Sequence, residues 1–344
     1  MELLPTVWFA VIAVLWTGYL FLEGFDFGVG MHLLFSARTE TQRRVMLNAI
    51  GPVWDGNEVW LITAVGATFA AFPLWYASLF SALYLPLVVV LLALIFRAVA
   101  IEFRGKGSTR RWTRGWDLAL GLGSLVASFG IGATLALTTT GLPIDANGDR
   151  VGGALAWLNG YALLGGLAFV GFSLAHGAAF LAVKTQGEVR MRARSFARRV
   201  GPAALVPLAA WVLAVQLQRG TVASWSLVLL MIGAAAVAWV ATRAGREGWS
   251  FVGFGGFLVT GMAAIFLACY PVVLPSTIDP RFDLTVATAS SSPYTLGVMS
   301  IVACLGIPLV LAYQGWTYWV FRARIGAAQI PPAHPVTAAV RPRP

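Results

Sequence analysis

Apolar residues along this chain come in long blocks, and charge collects in the gaps between them. The blocks cover approximately residues 6–30, 54–73, 79–103, 116–138, 155–183, 202–217, 225–242, 250–270 and 295–321. Most are near the ~20 residues that carry an α-helix across a bilayer. The alternating segments of ~10 residues that mark a membrane β-barrel are missing. The pattern therefore predicts an all-α polytopic membrane protein with about nine transmembrane helices. Residues 1–321 form a single transmembrane domain on this reading. Residues 322–344, rich in Pro, Ala and Arg, read as a disordered cytoplasmic tail. The first block follows Met1-Glu2-Leu3-Leu4-Pro5, with no basic stretch before it and no small-residue cleavage pattern after it, so it reads as a retained span.

Composition agrees: 58% of the residues are hydrophobic and 11% charged, against roughly a quarter charged in soluble domains. The net charge of +10 raises nucleic-acid binding as a class, but its distribution excludes it. The segments after the first, third, fifth, seventh and ninth blocks hold 20 of the 24 lysines and arginines. The opposite loops hold Arg150, Arg219 and Arg281, and Arg97 lies within the third block. By the positive-inside rule the N-terminus is outside and the C-terminus cytoplasmic. The basic excess is a topology signal that meets anionic lipid headgroups.

Against this background two stretches are anomalous. One is Gly51-Pro52-Val53-Trp54-Asp55-Gly56-Asn57-Glu58-Val59-Trp60, which opens the second block. The other is Glu23-Gly24-Phe25-Asp26-Phe27-Gly28-Val29-Gly30 in the first. A carboxylate at the centre of a span costs roughly 2.5–3.5 kcal/mol on insertion scales, so it normally faces an interior and has a function. Glu23 and Asp26 are three residues apart, as are Asp55 and Glu58, so each pair shares a helix face. A short connection makes the two spans antiparallel neighbours, and the four carboxylates are expected to converge toward the cytoplasmic side. Clustered, buried carboxylates are suited to passing protons. A structural alternative stands beside this: some of these acids cap a helix, Asp55 above all, or pair with Arg97. Arg97 itself is expected to pair with Asp26, Asp55 or Glu102. Glu102 and Arg104 read as interfacial, and Asp117 as a helix-dipole partner or a proton-uptake group.

The remaining candidates are weaker. Of the histidines, His334 is in the tail, His32 at a span end and His176 within the fifth span. His176 reads as a hydrogen-bonded interhelical residue rather than a haem ligand. Cys269 and Cys304 form no C-x-x-C pattern and read as small buried residues; no metal site is expected. Gly24, Gly28 and Gly30 follow no strand, and they read as sites of close helix packing.

The two anomalous stretches resemble the signature of subunit II of the cytochrome bd-type quinol oxidases. Further matches are Phe96-Arg97 through Glu102-Phe103-Arg104, His176-Gly177-Ala178 with Lys184-Thr185, Pro275-Ser276-Thr277-Ile278-Asp279-Pro280, Ala289-Ser290-Ser291-Ser292 and Tyr313-Gln314-Gly315-Trp316-Thr317-Tyr318-Trp319. The resemblance spans the chain except the tail. It implies two four-helix bundles, over residues 1–140 and 154–270, plus a peripheral last helix over 295–321. It implies a complex of the bacterial cytoplasmic membrane that oxidises quinol and reduces dioxygen to water. Two haems b, one haem d and the quinol-oxidising loop then belong to a partner, subunit I. Subunit II supports assembly, and in some members it also lines a cytoplasmic proton path and holds a structural quinone; the sequence leaves open whether small accessory subunits are further partners. By motif match Asp26 and Asp55 take the proton-path role, with Glu23 and Asp117 beside them, Glu58 alongside and Arg97 as the ion-pair partner. Some members carry glutamine where His176 stands, which argues against ligation there. Two other classes stay in view, an ion or solute transporter using the same carboxylates and a purely structural partner subunit.

Overall fold

The computed structural model describes residues 3–107 and 109–330. In chain order the helices are α1 (Leu3–Phe35), α2 (Glu40–Ile50), α3 (Trp54–Ala71), α4 (Pro73–Ala82), α5 (Tyr84–Phe103), α6 (Arg110–Thr140), α7 (Gly160–Lys184), α8 (Gly187–Arg199), α9 (Gly201–Ala204), α10 (Val206–Arg219), α11 (Val222–Arg243), α12 (Glu247–Cys269), α13 (Val286–Ala289) and α14 (Pro293–Val320). Eight helices or helix pairs among the described residues are long and apolar enough to cross a membrane: α1, α5, α6, α7, α9 with α10, α11, α12 and α14. The expected second span, α3, falls outside that set, because Asp55, Asn57 and Glu58 crowd its first two turns. It packs against α1 nonetheless.

Helix α1 has 33 residues, about 50 Å at 1.5 Å per residue, and is the axis of the molecule. It packs against α3, α6, α7 and α12. Around it α5 pairs with α6, α6 with α7, and α7 with α10 and α12; α11 pairs with α12. Helix α14 lies at the periphery, and Leu296 is its one buried residue. Glycine permits the closest approaches. A β-carbon on Gly28 would collide with the Ser173 carbonyl oxygen, and one on Gly177 would come within 2.7 Å of Gly28 Cα. The expected packing role of the span glycines is thus met at the α1–α7 crossing.

Several segments expected as connections are helical. Thr39 caps α2 by accepting from the Gln42 amide, and α2 buries Val45, Met46, Ala49 and Ile50 at helical spacing. Helix α8 similarly buries Val189, Ala193 and Ala197. Helix α4 fills the gap between the second and third blocks and takes up the first residues of the third, and a break at Leu83 separates it from α5. At one end of the molecule the connections are knitted by β1 (Val272–Leu274) and β2 (Leu284–Thr285), an antiparallel pair with a bulge, and by Ser276 Oγ donating to the Ile144 carbonyl at 2.6 Å. At the other end residues 322–330 are not a free tail. The Ile325 amide donates to the Lys184 carbonyl at 2.8 Å, and Arg324 pairs with Glu247 at 2.7 Å. The rest of the expected tail, His334 included, lies outside the described residues.

Candidate functional site

Where α1, α3 and α5 meet, the polar residues of the spans face one another. Tyr19, Glu23 and Asp26 lie along one side of α1 and are completely buried, since steps of four and three residues return to the same helix face. Arg97 reaches them from α5, also completely buried. Its guanidinium contacts Glu23 closely and Glu58 of α3 at 2.7 Å, and it stacks over the Phe27 ring at 4.8 Å. The expected partners of Arg97 are therefore corrected: Glu23 and Glu58 take it, while Asp26, Asp55 and Glu102 do not. Glu102 is exposed.

Asp26 has a different partner. Asn57 Nδ2 donates to Asp26 Oδ2 at 2.7 Å, and Asn57 is itself completely buried. The Asn57 carbonyl oxygen accepts from Tyr318 Oη at 2.7 Å and from Gln314 Nε2 at 3.1 Å, both on α14. Gln314 Oε1 in turn accepts from Trp60 Nε1 at 2.7 Å. A polar chain thus runs from the carboxylate on α1 through α3 to the peripheral helix. Asp26 Oδ1 and Tyr19 Oη have no hydrogen-bond partner among the described residues. Three carboxylates face one guanidinium here, so the cluster is neutral only with two of the three protonated. Such a group can hold and release protons within the membrane.

Asp55 does not join the cluster. It is exposed in the first turn of α3, and the N-cap position belongs to Val53, which makes no side-chain cap. The expected convergence of four acids is therefore one of three. Asp117 sits two turns into α6, not at its start, within a separate ionic cluster. Arg104 Nε donates to Asp117 at 2.5 Å, and its two terminal nitrogens fork onto Glu40 at 2.8 and 2.9 Å. Arg43 adds a contact to Asp117 at 3.3 Å. Arg104 is buried within the protein. The hydrogen bond from Arg104 holds the Glu40 carboxyl below its ordinary range.

The two described histidines, His32 and His176, do not fit haem ligation. His176 is completely buried, its ring stacked between Phe172 at 4.9 Å and Phe251 at 4.3 Å with Phe21 edge-on at 5.0 Å. Neither ring nitrogen makes a well-formed hydrogen bond, so the expected interhelical hydrogen bond is absent, leaving a loose interaction with the Phe21 backbone. Phenylalanine rings occupy the space a porphyrin would need. His32 Nε2 is engaged by the Leu174 carbonyl at 3.0 Å. No group of three or more His, Cys, Asp or Glu among the described residues is arranged to hold a metal ion. Cys269 is buried as expected, whereas Cys304 is exposed on α14.

The sequence reading missed Asn57, Gln314, Tyr318 and Tyr19 as members of the site. Asn57 stood within the anomalous second stretch and Gln314 and Tyr318 within the last matched motif, so the signal was present without its geometry.

Comparison with known proteins decides the family. Residues 4–321 match the model of the cytochrome bd terminal oxidase subunit II family. The chain belongs to that family. It is 41% identical over 331 residues to the cytochrome bd ubiquinol oxidase subunit 2 of Bacillus subtilis, covering 94% of this chain and 98% of that one. It is 33% identical over 365 residues to the cytochrome bd-I ubiquinol oxidase subunit 2 of Escherichia coli K12, covering 94% and 96%. In fold, this subunit II chain resembles a chain of the bd oxidase from Geobacillus thermodenitrificans, with a TM-score of 0.69 at 18% identity, over 93% of this chain and 99% of that chain. It is a multi-pass protein of the bacterial cytoplasmic membrane.

Proposed function

We infer that this chain serves a quinol oxidase in two ways, as the assembly partner of a haem-bearing subunit I and as the carrier of carboxylates on a cytoplasmic proton path. Family membership makes it subunit II of a terminal quinol oxidase. Reducing one dioxygen to two waters consumes four electrons and four protons. Two quinols supply the electrons and release their own four protons. If those leave on the outer side while the consumed protons enter from the cytoplasm, turnover builds a membrane potential without a pump.

The observation that carries the reading is the buried carboxylate of Asp26, with one oxygen held by Asn57 and the other unpartnered. Burying it unused would cost several kcal/mol. Glu23 and Glu58 share Arg97 beside it, Asp55 is the exposed acid in the first turn of α3, and Asp117 belongs to the separate ionic cluster with Arg104, Glu40 and Arg43. The reading includes nine spans with α3 counted, the N-terminus outside and the C-terminus in the cytoplasm. It also includes bundles over residues 1–140 and 154–270, with residues 295–321 peripheral. Haems b and d then belong to subunit I, and a structural quinone or a small accessory subunit binds without a ligating histidine from this chain.

The test is the pair Asp26→Asn and Asp55→Asn in the purified complex. Oxygen consumption with quinol is expected to fall by about tenfold or more for Asp26→Asn, as for loss of a proton-transfer group, and by less for Asp55→Asn. The haem spectrum should be unaltered in both. Full turnover in an assembled Asp26→Asn complex would end the proton-path reading. Loss of haem would leave assembly as the role of the cluster.

A further inference from the structure

A second built feature lies outside the Asp26 cluster. Between α2, the end of α5 and the start of α6 is a cavity of about 950 Å³. Its wall carries Arg38, Arg43, Arg44, Arg104, Arg110 and Arg114. The carboxylates in the same wall are Glu40, Glu102 and Asp117, so cations exceed anions two to one. Two of these acids are already engaged: Glu40 by Arg104, and Asp117 by Arg104 and Arg43. The guanidiniums of Arg38, Arg110 and Arg114 form no ion pair among the described residues, and all three residues are exposed. An internally paired floor thus carries a rim of cations that form no ion pair among the described residues.

The position is that of a membrane interface. The apolar run of α5 ends at Phe103, immediately before Arg104. Trp112 and Trp116 meet edge-on at 5.6 Å on the first turns of α6, at the depth where indoles anchor helices. Lys106 lies over the Phe103 ring at 3.9 Å. On the same helices α5 and α6, Phe96, Phe103 and Leu118 are exposed.

We propose that the cavity is a binding site for the phosphodiester headgroup of an anionic phospholipid. Guanidiniums fork onto phosphate oxygens, and several around one recess suit a phosphodiester, whose two non-bridging oxygens accept from more than one of them. Basic pockets between membrane helices on the cytoplasmic side are where acidic headgroups dock. The acyl chains then continue along the exposed apolar faces of α5 and α6, which a free phosphate would not use. The site does not depend on the proton-path reading, because Arg38, Arg110 and Arg114 have no part in that path.

The test uses the whole oxidase complex, purified and exchanged into micelles doped equally with dioleoylphosphatidylglycerol and dioleoylphosphatidylcholine, with bound lipid counted by native mass spectrometry. The wild-type complex is expected to retain phosphatidylglycerol in preference by at least about tenfold. The variant Arg38→Gln/Arg110→Gln/Arg114→Gln should lose most of that retention, by on the order of a hundredfold in affinity, with an unchanged haem spectrum; lysines at the three positions should restore much of it. Equal retention of the two lipids by the wild type overturns the proposal, and this arm stands even if the triple variant fails to assemble. Unchanged retention in an assembled triple variant overturns it as well. Displacement of the lipid by an equal concentration of inorganic phosphate would mark a free-phosphate site and overturn the lipid assignment. So would protection of Arg110 and Arg114 from phenylglyoxal in the lipid-depleted complex, which would place an acidic segment of subunit I in the cavity.

Discussion

Asn57 donates its side-chain amide to Asp26 at 2.7 Å, joining α3 to α1 between two completely buried residues. The orientation of the amide is fixed from behind. Its oxygen accepts from Tyr318 and Gln314, so its nitrogen faces the carboxylate. A hydrogen bond to a charged group contributes about 1.5–3 kcal/mol. Asn57→Leu is therefore expected to slow oxygen consumption by roughly tenfold or more while the haem spectrum stays intact. Asn57→Asp should be worse, because it sets a second acid against the first. Normal turnover in an assembled Asn57→Leu complex would mean that the held oxygen of Asp26 is not used.

Tyr318 and Gln314 test whether the peripheral helix tunes that carboxylate or only rests on the bundle. Helix α14 buries only Leu296, and Trp8 Nε1 ties its start by donating to the Leu296 carbonyl at 3.2 Å and to Ser300 Oγ at 3.0 Å. Tyr318→Phe removes one of two donors to Asn57, for an expected cost of about 0.5–1.5 kcal/mol. Gln314→Leu removes the other and also frees Trp60. Both together leave the Asn57 oxygen buried without a donor, so the double variant should lose more than the sum of the singles. A cycle of oxygen-consumption rates and melting temperatures measures this; strict additivity would disconnect α14 from the site.

The apolar blocks located the membrane-crossing helices because span length is a coarse signal that survives any neighbour arrangement. Short surface helices were hidden by the same signal. Charge in residues 36–53 suggested a loop, although the Thr39 cap and the spacing of Val45, Met46, Ala49 and Ile50 specify α2. The site was legible in its residue types and depth but not in its pairings. Asp55 and Asn57 are two residues apart, hence about 200° apart around α3. Once Asn57 faces inward, Asp55 must face out. Sequence spacing cannot give that rotation, which packing against α1 decides. The same holds for Arg97, whose choice of Glu23 over Asp26 depends on the relative rotation of α1 and α5.

Arg97 holds two carboxylates from different helices, so its loss should be structural before it is kinetic. Removing one partner of a buried ion pair costs about 3–5 kcal/mol, because the remaining charge is stranded. Arg97→Leu is expected to lower the amount of assembled, haem-containing complex in membranes severely. Adding Glu23→Gln and Glu58→Gln to Arg97→Leu removes the stranded charges and should recover much of that amount. Recovery of assembly without recovery of turnover would separate the structural use of these acids from proton transfer. No recovery would mean that the guanidinium is needed for its packing on Phe27 rather than for its charge.

The Glu40–Arg104 fork gives a pH dependence whose sign can be worked out. Arg104 donates to both Glu40 oxygens and depresses its carboxyl below the ordinary 4.5. A depressed acid stabilises the folded state in full above its unfolded value, and the contribution is lost as pH falls through the folded value. Wild type should therefore exceed Glu40→Gln in melting temperature at neutral pH, and the gap should close on acidification well below 4.5. The Glu40 side chain is 51% exposed, so water and salt screen the pair and the difference should be at most about 1 kcal/mol. High salt at neutral pH should shrink the gap as well. A gap that widened on acidification would mean that Glu40 is protonated in the folded protein, and that Asp117 alone compensates Arg104.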